Sequence, residues 1–131
     1  MNKLLVAAGA INAGVAVAAG AFAAHGLRER LEARALEVFE TAARYHMYHA
    51  LAMILAALVA TPRVTDTAGP RVAGPASART AGWIFQAGIV VFSGSLYALA
   101  LSDVKILGAI TPLGGLAFLV GWAWLAISAL R

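Results

Sequence analysis

The sequence predicts an all-α integral membrane protein, a bundle of four transmembrane helices with an amphipathic interfacial helix between spans one and two. Of its 131 residues, 62% are hydrophobic and 12% are charged, whereas soluble domains have about 45–50% apolar and about 25% charged residues. The apolar residues form long runs without charges, which is typical of segments that cross a bilayer. We therefore expect a single membrane domain over residues 1–131, with the lipid bilayer as its surroundings.

The charge and cysteine content exclude several other classes. The chain has no cysteine, so disulfides and thiolate catalytic or metal sites are excluded. Its formal net charge is +4, but the ten Lys and Arg residues stand singly between apolar runs and form no basic stripe that would bind nucleic acid. We expect these residues to anchor the protein near anionic headgroups, and we expect no nucleic-acid partner.

The first span is predicted over residues 4–24. These 21 residues carry no charge and reach about 30 Å as a helix, which is the thickness of a hydrocarbon core. The alternative is a secretory signal cleaved near Ala23, but the run is long for a signal, so we expect a retained helix. His25 and Gly26 are expected to end it.

An amphipathic helix is predicted over residues 27–44. This segment contains four Arg and four Glu residues, too many for an ordinary span, yet its apolar residues recur at steps of three and four along one face. Such a helix lies on the interface or caps the bundle. Because the pattern continues unbroken into the second predicted span, residues 45–61, one helix can serve both roles.

In the second half of the chain, residues 62–79 are rich in Pro, Gly and Arg and are predicted to form a loop. The third and fourth spans are predicted over residues 80–101 and 107–130. The start of the fourth span has two interpretations, because Pro112, Gly114 and Gly115 break the helical pattern. Either a kinked helix begins at Ile106, or the helix begins at Pro112 with Thr111 as its N-cap.

Polar residues are predicted to gather at one end of the bundle. In an alternating bundle, five residues fall within about two turns of span ends on the same face: His25, Tyr45, His49, Tyr97 and Thr111. An unpaired polar group in lipid costs several kcal/mol, so we expect them to turn inward as one cluster. Asn12 and Gln86 lie toward the opposite face and are expected to bond each other as interhelical links.

The two histidines His46 and His49 are spaced to share a helix face, which is compatible with metal or haem ligation. Histidines near the interface more often cap helix ends, and a structural role is the favoured interpretation. The sequence contains no phosphate-binding loop, no His-Glu-x-x-His and no Gly-x-Ser-x-Gly. We therefore predict no catalytic residue, no metal and no cofactor.

Several pairs of small residues at a spacing of four favour close helix packing. These pairs are Ala16 and Gly20, Gly20 and Ala24, Gly94 and Ala98, and Ala117 and Gly121. They motivate the leading hypothesis, a non-enzymatic structural or accessory membrane protein that associates with itself or with a larger complex. The broken Thr111-Pro112 segment motivates one alternative, a transporter or channel for a small solute or proton. The histidines motivate a second, a haem- or quinone-binding redox subunit.

Several short motifs resemble one known family. They are Gly20-Ala-Phe-Ala-Ala-His-Gly-Leu27, Phe39-Glu-Thr-Ala42, Tyr45-His-Met-Tyr-His-Ala-Leu51, Phe92-Ser-Gly-Ser-Leu-Tyr97, Leu107-Gly-Ala-Ile-Thr-Pro-Leu-Gly-Gly115 and Gly121-Trp122. In this order they resemble the YgdD/YwdK-like family of small four-span membrane proteins, a domain of unknown function. The resemblance implies the bacterial inner membrane and no particular activity. His46 stands where this family usually has glutamine, and the loop over residues 62–79 is longer than usual.

The topology is predicted from the loop charges. Five basic residues fall on the side of the termini, Lys3, Arg63, Arg71, Arg79 and Arg131, and five on the other side, Arg28, Arg30, Arg34, Arg44 and Lys105. The basic residues alone therefore give a tie. Because five of the six acids lie on the second side, the first keeps a net positive charge, and we expect both termini in the cytoplasm.

Overall fold

The computed structural model describes residues 2–62 and 76–130, and every regular element within these ranges is helical. We number four helices: α1 over Lys3–Leu27, α2 over Ala33–Val59, α3 over Ala76–Ser102 and α4 over Ile106–Ala129. In the described part of the chain, α1, α3 and α4 are long and apolar enough to cross a membrane. The predicted all-helical membrane fold is therefore confirmed at this level.

The helix boundaries differ from the predicted ones at three places. α1 continues through His25 and Gly26 as a short π-helical segment, Ala23–Leu27, because the wider turn keeps the backbone bonded where a helix end was expected. α3 begins at Ala76, so the last four residues of the predicted loop are helical, and residues 63–75 of that loop lie outside the described residues. A second π-helical segment, Ile89–Ser93, interrupts α3.

The fourth predicted span begins at Ile106 and contains Pro112 within the helix. Of the two interpretations, the structure therefore has the longer helix. Pro112 lies in its second turn, and the preceding Thr111 donates its hydroxyl to the carbonyl of Leu107 at 3.1 Å. Gly114 and Gly115 continue the helix. The interruption that motivated the transporter alternative is absent from α4.

α2 is the central helix of the bundle. It is one continuous helix of 27 residues that joins residues 33–44 of the predicted amphipathic segment to most of the predicted second span. Residues 28–32 form a turn instead of the predicted start of the amphipathic helix. It contacts α1, α3 and α4. α2 runs antiparallel to α3, since Phe39 packs on Tyr97 and the later Tyr45 packs on the earlier Phe92. α1 and α4 lie on opposite sides of the α2–α3 pair.

The core is built from small side chains with a few large ones between them. The main cluster contains the fully buried Leu5, Met53 and Phe85 together with alanines of α2 and α3. A second cluster near the other end of the bundle includes Leu27 and Phe39. Alanines at the α2 contacts let the helix backbones approach closely, which is the usual basis of helix association in lipid.

Of the predicted small-residue pairs, only the pair of Ala117 and Gly121 contains a glycine at a close approach, since a Cβ added at Gly121 would come within 2.6 Å of the Phe85 ring. A Cβ added at Gly20 or Gly94 would meet no atom within 4 Å, so these two glycines face open space. At Gly114 an added Cβ would collide with the backbone nitrogen of Phe92, and at Gly9 it would come within 2.9 Å of the Ala50 carbonyl oxygen. Sequence spacing identifies small residues on a helix, but which face meets a neighbour depends on how the helices dock.

Candidate functional site

A directed chain of hydrogen bonds links three helices at the middle of the bundle. Asn12 of α1 donates its amide to the Gln86 carbonyl oxygen of α3 at 2.7 Å and to the carbonyl of Ala8 at 2.8 Å. His46 Nε2 lies 2.9 Å from Asn12 Oδ1, and His46 Nδ1 lies 3.1 Å from the Tyr97 hydroxyl. The pairing expected between the two amides is present, with His46 and Tyr97 joined to it.

The partners determine the tautomer of His46. Because Asn12 uses its NH₂ group on two carbonyl oxygens, its Oδ1 faces the ring as an acceptor, and His46 Nε2 must carry the proton. His46 Nδ1 then accepts from the Tyr97 hydroxyl. Every bond therefore runs in one direction, from Tyr97 to His46 to Asn12 to Gln86.

His49 belongs to a separate group on the other side of α2. Its Nδ1 donates to the Tyr45 carbonyl oxygen at 2.7 Å, and its Nε2 accepts from the indole N–H of Trp122 at 3.2 Å. The imidazole also stacks on Phe118 of α4, with centroids 3.4 Å apart and planes 5° apart. His49 therefore carries its proton on Nδ1, whereas His46 carries it on Nε2. Both histidines are buried.

An aromatic groove opens beside His49 between α2, α3 and α4. Its cavity volume is about 370 Å³, and its walls are Tyr45, Tyr48, His49, Phe92, Gly115, Phe118, Leu119 and Trp122. The ring of Tyr45 packs on Phe92 with centroids 5.0 Å apart. Since the ring nitrogens of His49 point to bonded partners, the groove presents mainly apolar ring surface.

Hydroxyl pairs link the remaining helices. The Thr111 hydroxyl of α4 lies 2.7 Å from that of Ser95 in α3, and Ser128 lies 2.7 Å from Ser77 between the same helices. Ser93, in the π-helical segment of α3, donates to the carbonyl of Ala42 in α2 at 2.9 Å. Within the described ranges, no buried side-chain nitrogen or oxygen lacks a partner.

The structure divides the five residues of the predicted polar cluster among different places. His25 is exposed at the end of α1, Tyr97 bonds His46, His49 bonds the Tyr45 backbone, and Thr111 bonds Ser95. They do not form one cluster, because connectivity places residues near a common end but does not specify the direction of each side chain. The sequence did not predict three of the hydrogen-bonding roles. His46 is the centre of the chain of hydrogen bonds, Trp122 donates to His49, and Ser95 bonds Thr111.

The chemistry available at these sites is limited. Among the residues that the structure describes, no group of three His, Cys, Asp or Glu side chains could hold a metal ion. The lone pairs of His46 Nδ1 and His49 Nε2 accept hydrogen bonds from Tyr97 and Trp122. The arrangement can hold helices in register, and it can orient rings along a groove.

The fold and these intramembrane polar links define a small multi-pass helical membrane protein. The family model described as "Protein of unknown function (DUF423)" matches residues 19–115. The chain is 45% identical over 129 residues to the UPF0382 membrane protein YwdK of Bacillus subtilis, covering 98% of each chain. It is 43% identical to a UPF0382 membrane protein of Staphylococcus epidermidis strain ATCC 12228, covering 98% of this chain and 97% of the relative.

A further relative is the UPF0382 membrane protein SAB0533 of Staphylococcus aureus strain bovine RF122, at 42% identity and with 98% and 97% of the two chains covered. The chain belongs to the DUF423 family of membrane proteins. The resemblance to this family is thereby confirmed. No solved structure is significantly similar to the chain.

Proposed function

We propose that the protein is a non-catalytic structural or accessory subunit of the bacterial plasma membrane that associates with itself or with a larger membrane complex. One observation carries this proposal: all four ring nitrogens of His46 and His49 are bonded within the bundle. Ligation of a metal or haem needs a ring nitrogen with a free lone pair, and proton exchange with a substrate needs a ring nitrogen that the substrate can reach. Three of these nitrogens instead hold α1, α3 and α4 to α2, and the fourth, His49 Nδ1, bonds within α2.

The proposal includes α2 as the fourth crossing helix. α2 lies alongside α1 and α3 over its length, since Phe39 packs against Phe22 and Tyr97 near one end and Met53 packs near Gly9 toward the other. Its outer face carries Leu51, Leu55 and Leu58, which are about half exposed, as expected of a lipid-facing surface. The amphipathic segment is then the N-terminal half of this crossing helix.

The proposed topology follows from four crossings. An even number of spans puts both termini on one side, and the net positive charge on that side favours the cytoplasm. The acidic and basic segment that joins α1 to α2 would then lie at the outer surface of the membrane.

The proposed role is tested by purification and reconstitution. Affinity purification from native membranes in a mild detergent should recover a defined complex, either of identical chains or with another membrane protein. In liposomes, the pure protein should give no flux of protons, ions or small neutral solutes above that of empty vesicles. Flux that His46→Leu abolishes, while the matched lipid-facing control Leu116→Ala leaves it intact, would contradict the proposal.

A further inference from the structure

The outer face of the N-terminal half of α2 carries charged residues beside three apolar spans. Arg34, Glu37, Glu40 and Arg44 are all exposed, on the side of α2 away from the buried Phe39, Ala42 and Ala43. On the same side but further along α2, the exposed residues are Leu51, Leu55 and Leu58. The outer face of one helix therefore changes from charged to apolar along its length.

The packing of α2 gives the depth of these charges. Phe39 packs on Tyr97, five residues before Ser102 at the end of α3, and Tyr45 packs on Phe92, ten residues before it. At 1.5 Å per residue, these contacts lie about 8 Å and about 15 Å inside the end of α3. Glu40 and Arg44 adjoin Phe39 and Tyr45 in the chain, so they lie at about the same depths.

These depths place Arg44 within the hydrocarbon layer. α3 has 27 residues and is about 40 Å long, whereas the hydrocarbon core is about 30 Å thick. If α3 is centred, about 5 Å extends beyond the core at each end, and the Arg44 backbone lies about 10 Å inside it. A charged side chain at such a depth is costly when it faces lipid and is normally paired within protein.

We propose that this charged face, Arg34, Glu37, Glu40 and Arg44, is the contact surface with a second copy of the same chain. This inference rests on the proposed function, including the crossing of the membrane by α2. The face carries two positive and two negative charges, so it is complementary to itself. In a two-fold pair about the membrane normal, Arg44 of one copy lies one helical turn, about 6 Å along the axis, from the level of Glu40 of the other.

A face of one sign would repel its own copy, whereas this neutral face gives each arginine an acid to pair with across the interface. The depth and the neutral charge of this face together favour a dimer around α2.

Cysteine cross-linking tests the dimer directly, because the chain has no cysteine of its own. Tyr48→Cys puts a thiol on the exposed face one turn from Arg44 without removing a charge. In native membranes, a short bis-maleimide should convert this variant to a covalent dimer. The matched control Leu116→Cys on exposed α4 should remain monomeric. Equal cross-linking of both variants, or no cross-linking of Tyr48→Cys, would overturn the proposal.

Charge exchange between chains separates contacts across the interface from contacts within one helix. Added singly to Tyr48→Cys, Glu40→Arg or Arg44→Glu should lower the ratio of dimer to monomer about tenfold, which corresponds to about 1.4 kcal/mol. Co-expression of the two single variants should restore the mixed dimer, because each introduced charge then meets its opposite on the other chain. Failure of this rescue would show that the charges pair only within their own helix.

Two further measurements keep the outcome clear. If either reversal prevents insertion, Glu40→Gln and Arg44→Gln replace it, and each should lower the dimer fraction without changing the amount of protein in the membrane. Cross-linking of Tyr48→Cys only to a different protein would overturn the self-contact while leaving the accessory role intact. Solute flux or turnover by the purified chain would instead contradict the proposed function.

Discussion

The imidazole of His49 stacks face to face on the ring of Phe118, with their centroids 3.4 Å apart and their planes within 5°. This contact joins α2 to α4, and the Trp122 N–H bond to His49 Nε2 joins the same two helices. One side chain thus supplies both an apolar and a polar link between α2 and α4, which have few other contacts with each other.

Substitution of His49 should separate these two links. His49→Gln keeps a donor and an acceptor but loses the ring, so it should cost about 0.5–1.5 kcal/mol, the value of an aromatic pair. His49→Leu also leaves the Trp122 N–H without a partner and should cost about 1–3 kcal/mol. Thermal unfolding in detergent measures both. A leucine variant more stable than the glutamine variant would show that the hydrogen bonds contribute nothing.

His46 should tolerate glutamine but not leucine. An amide at this position can donate to Asn12 and accept from Tyr97, whereas leucine leaves both groups unpaired inside the bundle. We expect His46→Gln to change the free energy of unfolding little and His46→Leu to lower it by about 1–3 kcal/mol. The exposed His25 provides the control, since His25→Leu should stay within about 0.5 kcal/mol of the original protein. Equal losses for His46→Leu and His25→Leu would contradict the structural role.

Glycine substitutions should discriminate packed from open positions. Gly114→Ala puts a methyl group against the backbone of Phe92, which cannot move without shifting α3, and should destabilise the bundle by about 1–3 kcal/mol. Gly94→Ala enters open space and should be neutral or stabilising by about 0.5–1 kcal/mol, because alanine restricts the unfolded chain. Unfolding curves of the two variants, recorded in the same detergent, check the difference. A reversed order would place α4 differently against α3.

The proposed topology is checked with reporters at the C-terminus. With four crossings and both ends in the cytoplasm, a fused reporter that is active only in the cytoplasm should be active. A reporter active only outside the membrane should stay inactive. The same pair of reporters inserted after Arg30, between α1 and α2, should give the opposite result. Activity of the external reporter at the C-terminus would mean that the orientation is inverted or that α2 does not cross.

The sequence predicted the helical class and the membrane location because long uncharged runs have few other solutions. It also predicted that Asn12 and Gln86 would bond, since buried amides in lipid must find partners. It did not predict that His46 would join them, because helix spacing alone does not determine which side of α2 faces α1. The aromatic groove was missed for a related reason. A tryptophan near the end of a span is typical of an interfacial anchor, and only the packing of α4 against α2 brings Trp122 within bonding distance of His49.

The position of α2 has a consequence for how the protein is made. Three helices are apolar enough to enter the bilayer by themselves, whereas α2 carries Arg34, Glu37, Glu40 and Arg44 along its outer face and is disfavoured by insertion machinery that recognises hydrophobicity. Its buried face nevertheless supplies contacts to all three neighbours. In the proposed four-span arrangement, a helix that contacts all three others is therefore the one that the membrane accepts least readily, so α2 would enter the bilayer with the help of helices already there.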